Sequence, residues 1–247
     1  MRTKKVTTPK SVFGIGINNA YYAVVKWETV EANGKQKRKL VWICPFYKAW
    51  KSMLQRCYYV KYQERQPTYK GCSVSEEWKL FSNFRAWMET QDWEGKQLDK
   101  DLLFEGNKVY SANTCVFVTS MVNSFTTDCG ASKGEWMIGV YWYKEASKFR
   151  SMCNNPFTKK HEHLGYFDSE QDAHNAWLKR KLELAYELAA IQTDTRVAKA
   201  LISRYSNYSN KVEEYKEFKG SITIPNSKDV VEKYGLFVNR EELLGGG

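Results

Sequence analysis

The chain has 247 residues, enough for one large domain or two small ones, and its 43% hydrophobic and 15% aromatic content excludes global disorder. The formal charge is +10, and the stretch from Ser206 onward carries six Lys or Arg against seven Asp or Glu, so the positive excess lies in residues 1–205. A basic chain rich in Trp and Tyr points to a polyanionic partner, most often nucleic acid, although an ordinary basic soluble protein shares this composition.

No apolar run is long enough to span a bilayer, so no membrane partner is expected. The start MRTKK has no apolar segment behind it, so no secretory signal is expected. The six cysteines contain no CxxC pair, which suits reduced thiols in a cytosolic protein. A zinc site from Cys57, Cys72 and Cys115 stays open as a minor alternative.

Residues 1–12 form a basic, polar arm. Residues 20–43 predict a β-hairpin, with strand-like AYYAVVKWETV, an Asn33-Gly34 turn and the return strand LVWIC. Lys35, Lys37, Arg38 and Lys39 at its tip make a solvated loop or a phosphate clamp. Pro45 opens a helix whose Phe46, Trp50, Met53, Leu54 and Cys57 share one face. Residues 58–72 read as connection, and Ser75 caps a second helix with Glu76 and Glu77 in its first turn. Trp78, Phe81, Phe84, and Trp87 or Met88 repeat at helical spacing, which makes them core rather than stacking platforms.

Residues 98–125 predict strand, turn, strand and short helix, with Cys115 to Val118 a buried strand and Thr119 or Ser120 the helix cap. A hard cation such as Mg2+ takes oxygen ligands and keeps several waters, so one or two protein oxygens suffice. Asp99 and Asn113 offer a carboxylate and an amide oxygen across the turn. Asp99, Asn107 and Asn113 also have the composition of plain turn residues.

A second module begins near Gly134. EWMIGVYWYKEASKF is a strand and turn, RSMCNN a second strand, KKHEHLGYF a third, and DSEQDAHNAWLKRKLELAYELAA a helix capped by Ser169 with Asp172 at the third position. Ala173, Ala176, Trp177, Leu184 and Leu188 form its apolar stripe. Strand alternation turns Phe149, Ser151 and Cys153 toward the helix. It turns Lys148, Arg150, Met152 and Asn154 outward. Residues 193–205 predict a short helix with Val197, Leu201 and Tyr205 on one side, Ser206–Asn210 a linker, SITIP a strand, and Ser227–Tyr234 a helix.

The segment LDKDLLFEGNKVYSANTCVFV resembles the ββα-metal core of HNH endonucleases, in the phage homing branch that reads LD(K/R)D…G-N-x-Y-S-P-x-T-C-x-F-V. W-x-x-M-L-x-R-C-Y from Trp50 to Tyr58 and E-W-x-x-F-x-x-F-x-x-W from Glu77 to Trp87 resemble the segment before that core. The resemblance implies Asp99 and Asn113 as ligands of Mg2+ or Mn2+, Asn123 at the third motif position, and Asp101 as a carboxylate that orients water or Lys100. Lys100 stands where a standard site has a water-activating His, and Ala112 replaces a Pro. A free lysine titrates at about 10.4, which makes Lys100 a phosphate contact rather than a base. IGVYWYKEASKF, HLGYF and DAHNAW are similar to the AP2 DNA-binding domain over roughly residues 134–188. Such a domain reads duplex DNA with its sheet in the major groove, and alternation together with position in the family pattern puts Tyr141, Tyr143, His161 and His163 on the outward face as well.

The expected fold class is therefore α+β. A ββα-metal HNH core with flanking helices and an N-terminal hairpin (1–130) precedes an AP2-like three-stranded antiparallel sheet packed on a helix (134–205) and an extension (206–247). The resemblance implies a phage-type, metal-dependent endonuclease acting on double-stranded DNA one strand at a time, as a monomer in the cytoplasm of a bacterial host. The alternatives are an inactive DNA-binding protein on the same scaffold and a phage protein that binds a host protein.

Overall fold

A computed structural model describes residues 11–32, 34–127, 135–209 and 223–236. The basic arm up to Lys10, Asn33, Gly134, Cys129 and the first two residues of SITIP lie outside the described residues. The fold is mixed α and β with small sheets, and the chain divides into two compact units, Met1–Phe117 and Val118–Gly247.

In the first unit, β1 (Val25–Ala32) and β2 (Lys35–Ile43) form an antiparallel hairpin as expected, but β1 begins later than Ala20 and β2 begins at Lys35, so Lys35, Lys37, Arg38 and Lys39 are paired strand residues and not a tip loop. Helix α1 (Pro45–Tyr58) starts at its proline and buries Trp50, Met53, Leu54 and Cys57. The Trp50 side chain is fully buried, and its indole N–H donates to the Trp78 carbonyl at 2.6 Å. Residues 58–72 are more ordered than expected. A short helix α2 (Val60–Arg65) and a 3-10 turn (Pro67–Tyr69) run through them. There the Gln63 amide donates to the last carbonyls of α1, at Arg56 and Cys57.

The helix expected from Ser75 is two pieces, a 3-10 turn (Glu77–Lys79) and α3 (Phe81–Glu89). The break falls at Leu80, whose extended backbone bridges Ile17, while the Phe81 N–H donates to the Ile17 carbonyl. Trp78, Phe81, Phe84 and Met88 are buried as core, with Trp78 edge-on to Phe84 at 5.0 Å. Truncating an aromatic in such a cluster costs roughly 3–5 kcal/mol.

Three short strands follow, β4 (Gln97–Asp99), β5 (Val109–Tyr110) and β6 (Val116–Val118). The expected strand–turn–strand pairing holds between β4 and β6, but β5 leaves to pair in parallel with β3 (Ser73–Val74). The stretch between Asp99 and Val116 is therefore a loop, a two-residue strand and a second turn rather than one hairpin.

The second unit opens with α4 (Ser120–Thr126), capped by the Thr119 hydroxyl, which accepts the Val122 N–H. β7 (Val140–Tyr143), β8 (Lys148–Asn154) and β9 (His161–Phe167) make a three-stranded antiparallel sheet in sequence order. Helix α5 (Glu170–Ala190) packs on it, with the Ser169 hydroxyl accepting the Asp172 N–H. The Asp172 carboxylate accepts the Ser169 hydroxyl rather than its backbone N–H, so the capping box closes through side chains. The buried face of α5 is wider than the predicted stripe. It includes Leu178, Leu182 and Ala185, because α6 (Thr195–Ser209) covers part of it, while Ala176 is only half-buried. Helix α6 buries Val197, Leu201 and Tyr205 as expected, but it continues through Ser206–Ser209, so that stretch is helix and not linker. Thr223–Pro225 is not a strand, and α7 (Ser227–Tyr234) docks on α5 through Lys233 and Tyr234, both bonded to Glu187.

Glu162 on β9 receives the Arg180 guanidinium of α5 at 2.6 and 3.2 Å and the Asn155 amide at 2.7 Å. The Arg180 hydrogen bonds, against a smaller opposing cost of burial, hold its carboxyl below the usual glutamate range. The resulting stability is fully present above about 4.3 and is lost as pH falls through the lowered native value. Glu162→Gln is expected to lower the thermal midpoint at pH 7 and to flatten the acid limb of a stability-versus-pH curve. A variant curve parallel to the parent at all pH values would show that the pair contributes nothing to folding. The Ser151 hydroxyl on the helix-facing side is fully buried and has no hydrogen-bond partner among the described residues. Ser151→Ala is therefore expected to be neutral or stabilising by up to about 1–2 kcal/mol in urea unfolding.

Candidate nucleic-acid interface and candidate metal-binding loop

The pairing of the second sheet decides its faces. Tyr141 lies opposite Arg150 and Tyr143 opposite Lys148, while Arg150 faces Tyr166, Met152 faces His163, and Asn154 faces His161. All eight residues expected outward are thus on one face, with a ninth, Tyr166, beside them. The opposite face carries Val140, Ser151 and Cys153, all buried. Tyr166 does not follow from simple alternation with His163. A bulge between Ser151 and Met152 on the β8 side leaves Leu164 without an opposite number, and this re-aims the strand so that residues three apart share a face. No Asp or Glu stands among these nine positions.

Internal contacts order the face. Tyr166 packs on Tyr143 at 5.1 Å and edge-on to His163 at 4.6 Å. His163 Nδ1 accepts the Gly165 N–H at 3.0 Å, which puts the proton of the neutral ring on Nε2. The Arg150 Nε donates to the Met152 sulfur at 3.1 Å, and Lys148 pairs with Asp168 at 2.8 Å. A hydrogen bond to Glu145 pushes the Tyr143 phenol up. Tyr141, Asn154, His161, His163 and Tyr166 are exposed. Beyond the face, Asn155 closes the β8–β9 turn by accepting the Phe157 and Thr158 N–H groups.

The loop after β4 is a self-bonded knot. Asp99 Oδ1 accepts the N–H groups of Asp101 and Leu102 at 2.9 and 2.7 Å. Lys100 is buried, and its ammonium donates to Asp101 at 3.0 Å and to the Asn107 carbonyl at 2.9 Å. The Asn107 amide in turn donates to the Lys100 and Val109 carbonyls. Burial, and secondly the Asp101 charge, push the Asp99 carboxyl up. Lys100 was expected to meet phosphate; its burial and its two bonds make it the internal fastener of this loop instead.

Asn113 is exposed in a turn that Ser111 and Thr114 close, with the Thr114 hydroxyl on the Val109 carbonyl at 2.7 Å. None of the hydrogen bonds described joins it to Asp99. Asn123 lies on α4 in the second unit, where its carbonyl accepts from Thr126 and Thr127. Among the described residues, no group of three or more His, Cys, Asp and Glu side chains is gathered to hold a metal ion. Burial pushes the thiols of Cys57 and Cys115 up to about 12.

Asn107, which the sequence offers as a turn residue, does turn work here, its side chain bonding the Lys100 and Val109 backbone. No known protein family, no curated protein and no solved structure matches the chain. Among the described residues, no helix is long and apolar enough to cross a membrane.

Removing the Asn107 amide leaves the buried Lys100 carbonyl short of a donor. Asn107→Ala is expected to cost about 1–3 kcal/mol in urea unfolding. An unchanged midpoint would show that the loop is held from elsewhere.

Proposed function

We propose that the chain is a DNA endonuclease of the HNH type that holds duplex DNA on the outward face of β7–β9, an AP2-like reader. The outward face, with Arg150 on its central strand, Lys148 at the start of that strand and no Asp or Glu at its nine positions, carries the DNA-binding part of this reading. A sheet presenting cations, amide and imidazole groups beside flat tyrosines suits phosphate contacts and hydrogen bonds to base edges. Arg150 is the candidate for guanine or phosphate, and Lys148, which would exchange the Asp168 carboxylate for a phosphate, is the second phosphate contact.

Cleavage rests on the HNH resemblance and on the donor set around Asp99. The Asp99 carboxyl is destabilised as an anion by burial and by Asp101, and a divalent cation would relieve both costs. Its oxygens and the Asn113 amide oxygen suit a hard ion such as Mg2+ or Mn2+. The ion would stabilise the leaving oxygen and orient water. The chain's own part is to hold Asp99 in one rotamer through two backbone N–H groups and to keep the loop fixed through Lys100 and Asn107.

A second reading, DNA binding without cleavage, is favoured by one observation. The residue at the position of the usual His is the buried Lys100, whose ammonium is engaged within its own loop.

Supercoiled DNA incubated with Mg2+ or Mn2+ is expected to pass to open circle, and Asp99→Asn to slow this at least about 100-fold while duplex binding persists. Cleavage that survives Asp99→Asn would remove the metal assignment. Tight binding with no cleavage under either metal would establish the second reading. Arg150→Ala is expected to weaken duplex binding by about 1–3 kcal/mol.

A further inference from the structure

The β1–β2 hairpin has no core behind most of its length. Every residue of β2 from Lys35 to Trp42 is exposed, and Trp27, Leu40, Val41 and Trp42 are between 41% and 48% exposed. A two-stranded ribbon with both faces in water is marginal by itself, and large apolar side chains on such a ribbon signal a surface that is covered in use.

The register sorts its charges. Glu28 lies opposite Lys39, Val30 opposite Lys37, Ala32 opposite Lys35, and Lys26 opposite Trp42. One face therefore carries Lys26, Lys35, Lys37 and Lys39 against Glu28 alone. The other carries Trp27, Thr29, Gln36 and Leu40, with Arg38 balancing Glu31. Among the described residues, none of these charged side chains is in an ion pair. The cations instead lie over rings, Lys26 over Trp42 at 5.5 Å and Arg38 over Trp27 at 5.3 Å.

We propose that this hairpin is a second duplex-DNA contact, a ribbon that enters the major groove and sets its lysine face against the phosphates. The proposal rests on the DNA-binding reading above and assigns the first unit its own share of the DNA. The major groove admits a two-stranded ribbon, and this ribbon is bare on both sides as entry requires. Four lysines against one glutamate on one face supply charge complementarity to a phosphate wall. The bulge between Lys26 and Trp27 adds twist, which suits a groove that turns.

The full chain is titrated with duplex DNA at several salt concentrations, beside the triple variant Lys35→Gln, Lys37→Gln, Lys39→Gln and the sheet variant Arg150→Ala. Circular dichroism melting checks that each is folded. Each lost phosphate contact lowers the slope of log affinity against log salt by about 0.9. The triple variant is expected to lose roughly 2 to 3 from that slope, and to lose protection of guanine N7 from dimethyl sulfate over part of the site. Arg150→Ala is expected to change affinity without removing that protection.

A parent that binds duplex DNA with a slope the triple variant leaves unchanged overturns the hairpin proposal and leaves the sheet reading standing. A slope that falls without loss of N7 protection overturns groove entry. A parent with no salt-sensitive duplex binding overturns the DNA-binding reading and the hairpin with it. If the lysines matter for binding vesicles of phosphatidylserine and not for duplex DNA, the occupant is a membrane surface and the proposal is likewise overturned.

Discussion

Burial of one side of the β7–β9 sheet under α5 is the constraint on which the second unit depends. Successive side chains on a strand point to opposite faces. Once Val140, Ser151 and Cys153 are committed to the helix, Tyr141, Arg150, Met152 and Asn154 have no choice but to face away. The Glu162–Arg180 pair fastens this arrangement from the edge, where a carboxylate on β9 meets a guanidinium on the helix. An outward face that gathers Arg150, Lys148 and three tyrosines is thus a by-product of packing.

The loop after β4 solves a different problem. It contains a buried lysine and two aspartates within three residues. Leaving an ammonium buried without partners is costly, so Lys100 is met by the Asp101 carboxylate and the Asn107 carbonyl. Asn107 then reaches back to the Lys100 carbonyl, and Asp99 gathers the N–H groups that the turn leaves over. The result is a rigid loop that presents one carboxylate whose charge is poorly compensated.

The hairpin stands apart from both. It is ordered by its own ladder and by cation–ring contacts rather than by a core, so its side chains are free to be chosen for what they meet outside. Three lysines alternate along β2 with Gln36 and Arg38 between them, which segregates the positive charge to one face.

Periodicity along the chain by itself determined the mixed α and β class, the hairpin, α1 from Pro45, the three strands with α5, the helix Ser227–Tyr234, and the outward set Lys148, Arg150, Met152 and Asn154. These are local properties, set by strand alternation, helical spacing and caps. What only the tertiary structure decided are matters of partner choice between distant segments. Ile17 breaks the helix at Leu80, β3 draws β5 away from β4, and a bulge brings Tyr166 onto the face. Lys100 is likewise turned inward to a carbonyl seven residues on, and helix α6 continues through Ser206–Ser209 of the predicted linker. Each depends on which backbone group or apolar surface happens to be adjacent after folding. No window of neighbouring residues records that adjacency.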